Sequence, residues 1–173
     1  MFDHIIAKMA YRAATLRIEE WEAKATKATR ATKGDIQEPL DLSIAALETV
    51  PPLPAKLRHL YMTGTQVTYI EALPACLETA VLTKNIRLES IGPYPVALRF
   101  LDVSQCNVRW LRPAPPKLER LHVFGAPLSR PQASIEETTG DGLKAFLAAL
   151  YDAQETAPVS LCLEELLEMV DSA

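Results

Sequence analysis

The sequence has few of the residues that metal sites and disulfide frameworks require. Its 173 residues include only three histidines and three cysteines. Cys76, Cys106 and Cys162 are far apart and form no C-x-x-C pair, and the histidines have no ligand-like spacing. An odd number of widely spaced cysteines argues against both a disulfide framework and a zinc site. A reducing intracellular compartment is therefore expected, with the cytoplasm favoured over the mitochondrion.

Long apolar runs and catalytic motifs are also missing. No segment approaches the roughly 18 consecutive apolar residues that a transmembrane helix needs. With 6 glycines in the whole chain, no glycine-rich phosphate loop or nucleophile motif is present. The sequence therefore predicts a protein that is not an enzyme, uses no cofactor or metal and does not span a membrane.

No segment has the strong positive charge of a nucleic-acid-binding domain. The net charge of −4 divides into +3 for residues 1–33, +1 for 34–131 and −8 for 132–173. One basic run, KATKATRATK, could contact nucleic acid, but four charges support only weak, salt-sensitive binding. A solvated helix end is the main interpretation of its four cations, Lys24, Lys27, Arg30 and Lys33.

What the chain does have is a leucine pattern that returns every 20 or 21 residues. Closely spaced, alternating leucines indicate a strand with one buried face. Copies of such a strand bury that face by stacking into a parallel sheet over one continuous core. The pattern L-x-x-L-x-L-x-x-N/C/T-x-L is that of the leucine-rich repeat. The first positions of its five copies are Gln37, Leu57, Leu77, Leu98 and Leu118.

The turn residues and the prolines extend this prediction. Thr65, Asn85 and Cys106 occupy the ninth position of their copies, where a small polar side chain can bond free backbone groups. Nine of the 13 prolines fall between successive strands. Because proline fixes φ and lacks a backbone donor, these segments predict polyproline-like returns on the convex side. The predicted fold is thus an α/β leucine-rich-repeat solenoid of about five parallel strands over residues 37–131.

The stretches LETVPPLPAKLRHLYM and LRPAPPKLERLHV resemble the 20-residue repeats of bacterial type III secreted effectors of the YopM and IpaH kind. The resemblance covers roughly residues 37–131 and implies a protein-binding solenoid with a helical cap before the repeats. Tyr11 to Trp21 occupies the place of that cap. Some such effectors add a large catalytic domain with a C-x-D cysteine, which Cys162 only faintly matches. The roughly 40 residues after the repeats are too few for that domain.

The segment before the repeats, residues 1–36, predicts an N-terminal helical cap. Gly34 is a helix stop signal, and a stripe of apolar residues leading to Trp21 is expected to cover the first repeat. A basic amphipathic start is also typical of a mitochondrial presequence, but the early Asp3 favours a retained helix. The stripe consists of Phe2, Ile5, Ile6, Met9, Ala13 and Leu16.

The segment after the repeats, residues 132–173, predicts a C-terminal helical cap or tail. Asp141 could begin one helix, and Pro158 suits the first turn of a second. The acidic residues of the second helix, including Glu164, Glu165 and Glu168, predict a solvated face or a contact for a basic partner.

Strand positions that face away from the core form a concave surface in this architecture. Aromatic residues are over-represented in protein interfaces, so the aromatics at these positions indicate a binding surface. A separate column of alternating charges, Glu38, Arg58, Glu78, Arg99 and Glu119, favours the parallel register. The candidate binding residues are His59, Tyr61, Val81, Phe100, Asp102, His122 and Phe124.

These observations predict a non-enzymatic protein–protein interaction module. An accessory or scaffolding subunit of a multi-subunit complex is favoured by the small size of the chain and its oppositely charged ends. The alternative is a free-standing recognition protein, effector-like or a substrate receptor, that binds a protein partner transiently. The mass of the protein in a native extract distinguishes the two, since a subunit elutes far above 19.1 kDa.

Overall fold

In a computed structural model, the chain forms a parallel-strand solenoid of stacked coils preceded by one long helix. The structure describes residues 2–32, 38–111, 114–128 and 138–139. Helix α1 spans Phe2–Thr32. The strands are β1 (Leu40–Asp41), β2 (His59–Tyr61), β3 (Tyr69–Ile70), β4 (Thr79–Val81), β5 (Ser90–Ile91), β6 (Phe100–Asp102), β7 (Arg120–His122) and β8 (Thr138–Thr139).

The main sheet contains one strand from each coil, in the order β1-β2-β4-β6-β7-β8. The first five strands are parallel and in register, so that Leu60 pairs with Ala80, Ala80 with Leu101 and Leu101 with Leu121. Strand β8 is antiparallel to β7 at the far edge. The predicted parallel solenoid is therefore confirmed, with strands at the positions that the leucine spacing indicates.

The core is a single column of apolar side chains between the strands and the return segments. In each three-residue strand the middle residue is buried and its two neighbours are more exposed. Burial of this column is the main source of stability, because no single coil can remove its own leucines from water. The largest side chains with less than 2% of their surface exposed include Leu57, Leu60, Met62, Leu77, Leu82, Leu98, Leu101 and Leu121.

The ninth position of the repeat forms a buried polar ladder. The Asn85 carboxamide oxygen accepts bonds from the Thr65 amide and hydroxyl, each 2.7 Å long. Its amide nitrogen donates to the carbonyls of Met62 and Leu82, at 2.7 and 2.8 Å. The Cys106 thiol also donates to the Leu82 carbonyl. This confirms the predicted role of the slot in satisfying backbone groups at the turn.

The backbone just before the slot has the left-handed conformation in four successive coils. Glycine adopts it without steric cost, whereas a residue with a Cβ is strained. Bonds to the next coil hold the strained turns, including one from the Gln105 amide to the Phe124 carbonyl at 2.7 Å. The four residues are Gly64 (φ 67°), Lys84 (59°), Gln105 (56°) and Gly125 (67°).

The return segments differ in part from the polyproline-like path that the sequence predicts. Strands β3 and β5 lie on two successive returns and pair in parallel as a second sheet. Since these residues are not prolines, their amides remain available for pairing. Each return then ends in a turn closed by a 3.0 Å bond from a leucine amide to a proline carbonyl three residues earlier. These turns are Pro54–Leu57, Pro74–Leu77, Pro95–Leu98 and Pro115–Leu118.

Gly92 marks a close approach between two returns. Its amide donates to the Ile70 carbonyl at 2.7 Å. A Cβ at this position would lie 1.9 Å from the Glu71 carbonyl oxygen and 2.7 Å from its carbon. Because the colliding atoms are backbone, a larger residue can be accommodated only if the second sheet shifts.

We therefore expect Gly92→Ala to lower the free energy of unfolding by about 1–3 kcal/mol, the usual cost of overpacking. Urea denaturation followed by circular dichroism measures the change. Ser90→Ala, at an exposed position of β5, is the control and should change stability by less than about 0.5 kcal/mol. Equal stabilities for the two variants would show that the returns do not approach this closely.

Helix α1 packs against the first coil, but not through the predicted stripe. Its buried face consists of Ala10, Ala14, Ile18 and Trp21, which lie at helical spacing. The Trp21 indole donates to the Glu38 carbonyl at 2.9 Å. This face combines two small alanines with the larger Ile18 and Trp21, and the Trp21 bond fixes it against the start of the first coil. The expectation that Trp21 covers the first repeat is therefore confirmed, whereas the expectation that the stripe before it does so was wrong.

Most of the C-terminal segment lies outside the described residues. The predicted helices after Asp141 and Pro158, and with them Cys162, cannot be placed on this structure. The two described residues of the segment precede Asp141 and form strand β8. Helix α1, the long helix of the described part of the chain, is not apolar enough to cross a membrane.

Candidate functional site

The seven predicted binding residues lie on or just beyond the outward face of the main sheet, which we call the strand face. Four successive strands, β2, β4, β6 and β7, carry six of them. Neighbouring strands lie roughly 4.8 Å apart, so these four strands together extend over about 14 Å. Phe124 follows β7 and is 52% exposed, Tyr61 on β2 is 39% exposed, and the remaining five are partly buried.

Three of these residues form one cluster at the centre of the strand face. The rings of Phe100 and His122 meet edge to face, with centroids 5.0 Å apart. His122 Nδ1 lies 3.4 Å from Asp102 Oδ2, because the register places these two residues opposite each other. Asp102 Oδ1 in turn accepts a 2.9 Å bond from the Ser104 amide. The cluster therefore presents the edge of an aromatic ring beside the Asp102 carboxylate, and the bond from the Ser104 amide already orients that carboxylate.

The other candidates lie towards the first coils. Tyr61 and Val81 are register partners, and Val81 pairs with Asp102 on its other side. His59 lies on β2, two residues before Tyr61. The apolar and aromatic positions thus form a continuous band from Tyr61 to the Phe100 cluster.

A charged rim runs along the side of the strand face where the strands begin. Arg58 pairs with Glu78 at 2.9 Å and Arg99 with Glu119 at 2.5 Å, which confirms the predicted alternation for these pairs. The hydrogen bond to the Glu119 carboxylate raises the pKa of Arg99 above its ordinary value.

The charged rim also borders an open depression of about 350 Å³, which sequence reasoning missed. The alternating charges predict only the register, but Arg99 directly precedes Phe100 and Glu119 directly precedes its register partner Arg120, which places this ion pair beside the aromatic ring. The depression is lined by Glu78, Thr79, Arg99, Phe100, Glu119 and Arg120.

A hydroxyl rim follows the opposite side, where the strands end. The Thr63 amide donates to the Ser43 hydroxyl at 2.9 Å, and the hydroxyls of Thr63 and Thr83 lie 3.1 Å apart. Partial burial opposes ionisation of the adjacent Asp41. Hydrogen bonds from Ser43 and the charge of Arg17 outweigh that effect and lower the Asp41 pKa. The strand face therefore has an aromatic centre between two polar rims.

The cysteines of the described region show no arrangement for catalysis. Burial raises the pKa of the Cys106 thiol to about 11. At neutral pH this thiol is protonated and acts as a donor to the Leu82 carbonyl. Cys76 is exposed on the surface. No group of three or more metal-ligating side chains occurs in the region that the structure describes.

The structure describes the side chains of only part of the basic run KATKATRATK. Lys24 and Lys27 are exposed on helix α1. Arg30 and Lys33 lie outside the residues whose side chains the structure describes. The two lysines that the structure describes do not by themselves form a compact basic patch.

Comparisons with known proteins add no relative to this picture. No protein family, curated protein or solved structure gives a significant match to the chain. Inference about function therefore depends on the coils themselves and on the chemistry of the strand face.

Proposed function

We propose that this chain is a leucine-rich-repeat protein that binds a protein partner through the strand face. Its assignment to the repeat class is supported by coils of 20 or 21 residues, each contributing one parallel strand. The buried ladder of Thr65, Asn85 and Cys106 supports it further, because it explains the polar slot of the repeat.

The observation that carries the binding proposal is the layout of the strand face. Protein interfaces typically have an aromatic-rich core surrounded by a polar rim. Here Tyr61 and Phe100 lie between the ion pairs of one rim and the hydroxyls of the other. Side chains of this kind, when buried by a partner at the centre of an interface, contribute most to affinity.

Within this proposal the chain acts as an accessory or scaffolding subunit and not as an enzyme. It occupies a reducing compartment, in keeping with the free thiols Cys76 and Cys106. The exposed apolar face of helix α1 favours permanent assembly, because such a face is seldom left in water. Transient recognition by a free-standing protein is the second candidate, and the small open depression beside Phe100 favours it.

A triple alanine variant of Tyr61, Phe100 and Phe124 tests the proposed surface. The partner is first identified by crosslinking to the tagged wild-type chain in native extract and is then purified. We expect the variant to bind that partner at least about fivefold more weakly, since loss of a central aromatic residue costs 1 kcal/mol or more. The melting temperature should change little, because these side chains lie outside the leucine column.

The matched control replaces Tyr69, Ile86 and Trp110, which are 47%, 68% and 49% exposed but lie away from the strand face. This control should bind like the wild type. Unchanged binding of the first variant, with weaker binding of the control, would move the interface to the convex side. A large loss of stability in the first variant would show that its aromatics pack within the chain. Elution of the native protein far above twice 19.1 kDa, the mass of a dimer of this chain, selects the subunit over the transient binder.

A further inference from the structure

Helix α1 has a second apolar face that the solenoid does not cover. Phe2 and Met9 are 82% and 68% exposed, and Ile5, Ile6 and Leu16 are each 50% exposed. We call these five residues the α1 stripe. They recur at helical spacing over the first four turns, on a face distinct from that of Ala14 and Ile18. A contiguous exposed apolar patch of this kind marks an interaction site.

The charges around the α1 stripe have one dominant sign. Lys8 and Arg12 are exposed on the same four turns, and Asp3 is the only acid before Glu19. The occupant of the stripe is therefore expected to combine an apolar surface with negative charge.

One segment of this chain has that chemistry. Residues 158–171 read PVSLCLEELLEMVD, and no lysine or arginine follows Lys144. The segment lies outside the described residues, but helical spacing would separate an apolar face from an acidic one. The apolar face would carry Leu163, Leu166, Leu167 and Val170, and the acidic face Glu164, Glu165, Glu168 and Asp171.

We infer that the α1 stripe is a self-association surface that takes the acidic C-terminal segment of a second copy of this chain. Exchange of the segment in both directions closes a symmetric dimer, which is the commonest form of assembly. Dimerisation places two strand faces in one particle, and it does not depend on what the strand face binds.

Sedimentation of the full chain over a range of concentrations and ionic strengths tests this inference. We expect a particle of twice 19.1 kDa that dissociates on dilution and more readily at high salt. The double variant Ile5→Asp, Met9→Asp should weaken association at least about tenfold, since it places charges in an apolar contact. Its melting temperature, measured under monomeric conditions, should be unchanged because both residues are exposed. Leu166→Asp, Leu167→Asp should weaken association similarly.

A charge exchange tests the pairing itself. Lys8→Glu, Arg12→Glu should weaken association, and adding Glu164→Lys, Glu165→Lys to the same chain should restore it. Ile86→Asp is the control, because Ile86 is 68% exposed like Met9 but lies on the solenoid. It should associate like the wild type.

Three outcomes overturn the inference. A wild-type chain that stays monomeric at every concentration is one, and a dimer that survives Ile5→Asp, Met9→Asp is another. The third is a monomer that binds vesicles of anionic phospholipid through the α1 stripe, since a membrane surface would then be its occupant. None of these results affects binding of a partner by the strand face, which the Tyr61, Phe100 and Phe124 variant tests separately.

Discussion

Leu101→Ala is expected to lower the free energy of unfolding by about 2–5 kcal/mol, one of the largest effects of any single substitution in this chain. Leu101 is 1% exposed and is the middle residue of β6, with β4 on one side and β7 on the other. Truncation removes apolar area and leaves a cavity that two neighbouring coils cannot fill, because their strands are held in register. Urea denaturation followed by circular dichroism measures the change.

Val96→Ala is the control for the loss of methyl groups. Val96 lies five residues before Leu101, near the end of the preceding coil, and is 65% exposed, so its truncation should cost less than about 0.5 kcal/mol. A loss under about 1 kcal/mol for Leu101→Ala would contradict the register described here, since a buried leucine at a central strand cannot be removed so cheaply.

Asn85→Ala is expected to destabilise the protein by about 2–6 kcal/mol through lost hydrogen bonds. Asn85 is fully buried, and its side chain makes four bonds across two coils. In the alanine variant the Thr65 amide and the Met62 carbonyl lose these bonds where water does not reach. Each buried polar group that is left unsatisfied costs about 1–3 kcal/mol. Thermal and urea denaturation both report the loss.

Asn107→Ala provides the comparison for Asn85. Asn107 is only partly buried, and it lies one residue beyond the slot position of the next coil. Its truncation should change stability by less than about 0.5 kcal/mol. Similar effects for the two asparagines would mean that the ladder contributes little and that the leucine column alone holds the coils together.

The arrangement of the strands could be predicted from the sequence because it depends on local spacing. Alternating leucines specify which side chains are buried, and a repeat of 20 or 21 residues specifies which of them become neighbours. The polar slot could be predicted for the same reason. Thr65, Asn85 and Cys106 each stand four residues after the last residue of their strand, where these coils have the same backbone groups to satisfy.

The candidate binding residues could be placed on one face, but their contacts could not be predicted. Phe100 and His122 belong to different columns of the repeat, and their edge-to-face contact is a diagonal one between β6 and β7, whose register pairs Phe100 with Arg120 and Asp102 with His122. The strained turns at Lys84 and Gln105 were also missed. The sequence does carry a sign of these turns. The equivalent residues of two other coils, Gly64 and Gly125, are glycines, and glycine tolerates the left-handed backbone.

The sequence by itself determined the solenoid, its register and the side chains in its core, because these follow from a periodic pattern of apolar residues. Tertiary structure alone decided which face of helix α1 is buried. The helix has two apolar faces, and hydrophobicity favours the one with Phe2, Ile5 and Met9. The solenoid instead packs against Ala14, Ile18 and Trp21, where the Trp21 indole also donates to the Glu38 carbonyl, a long-range contact that helical spacing alone does not specify.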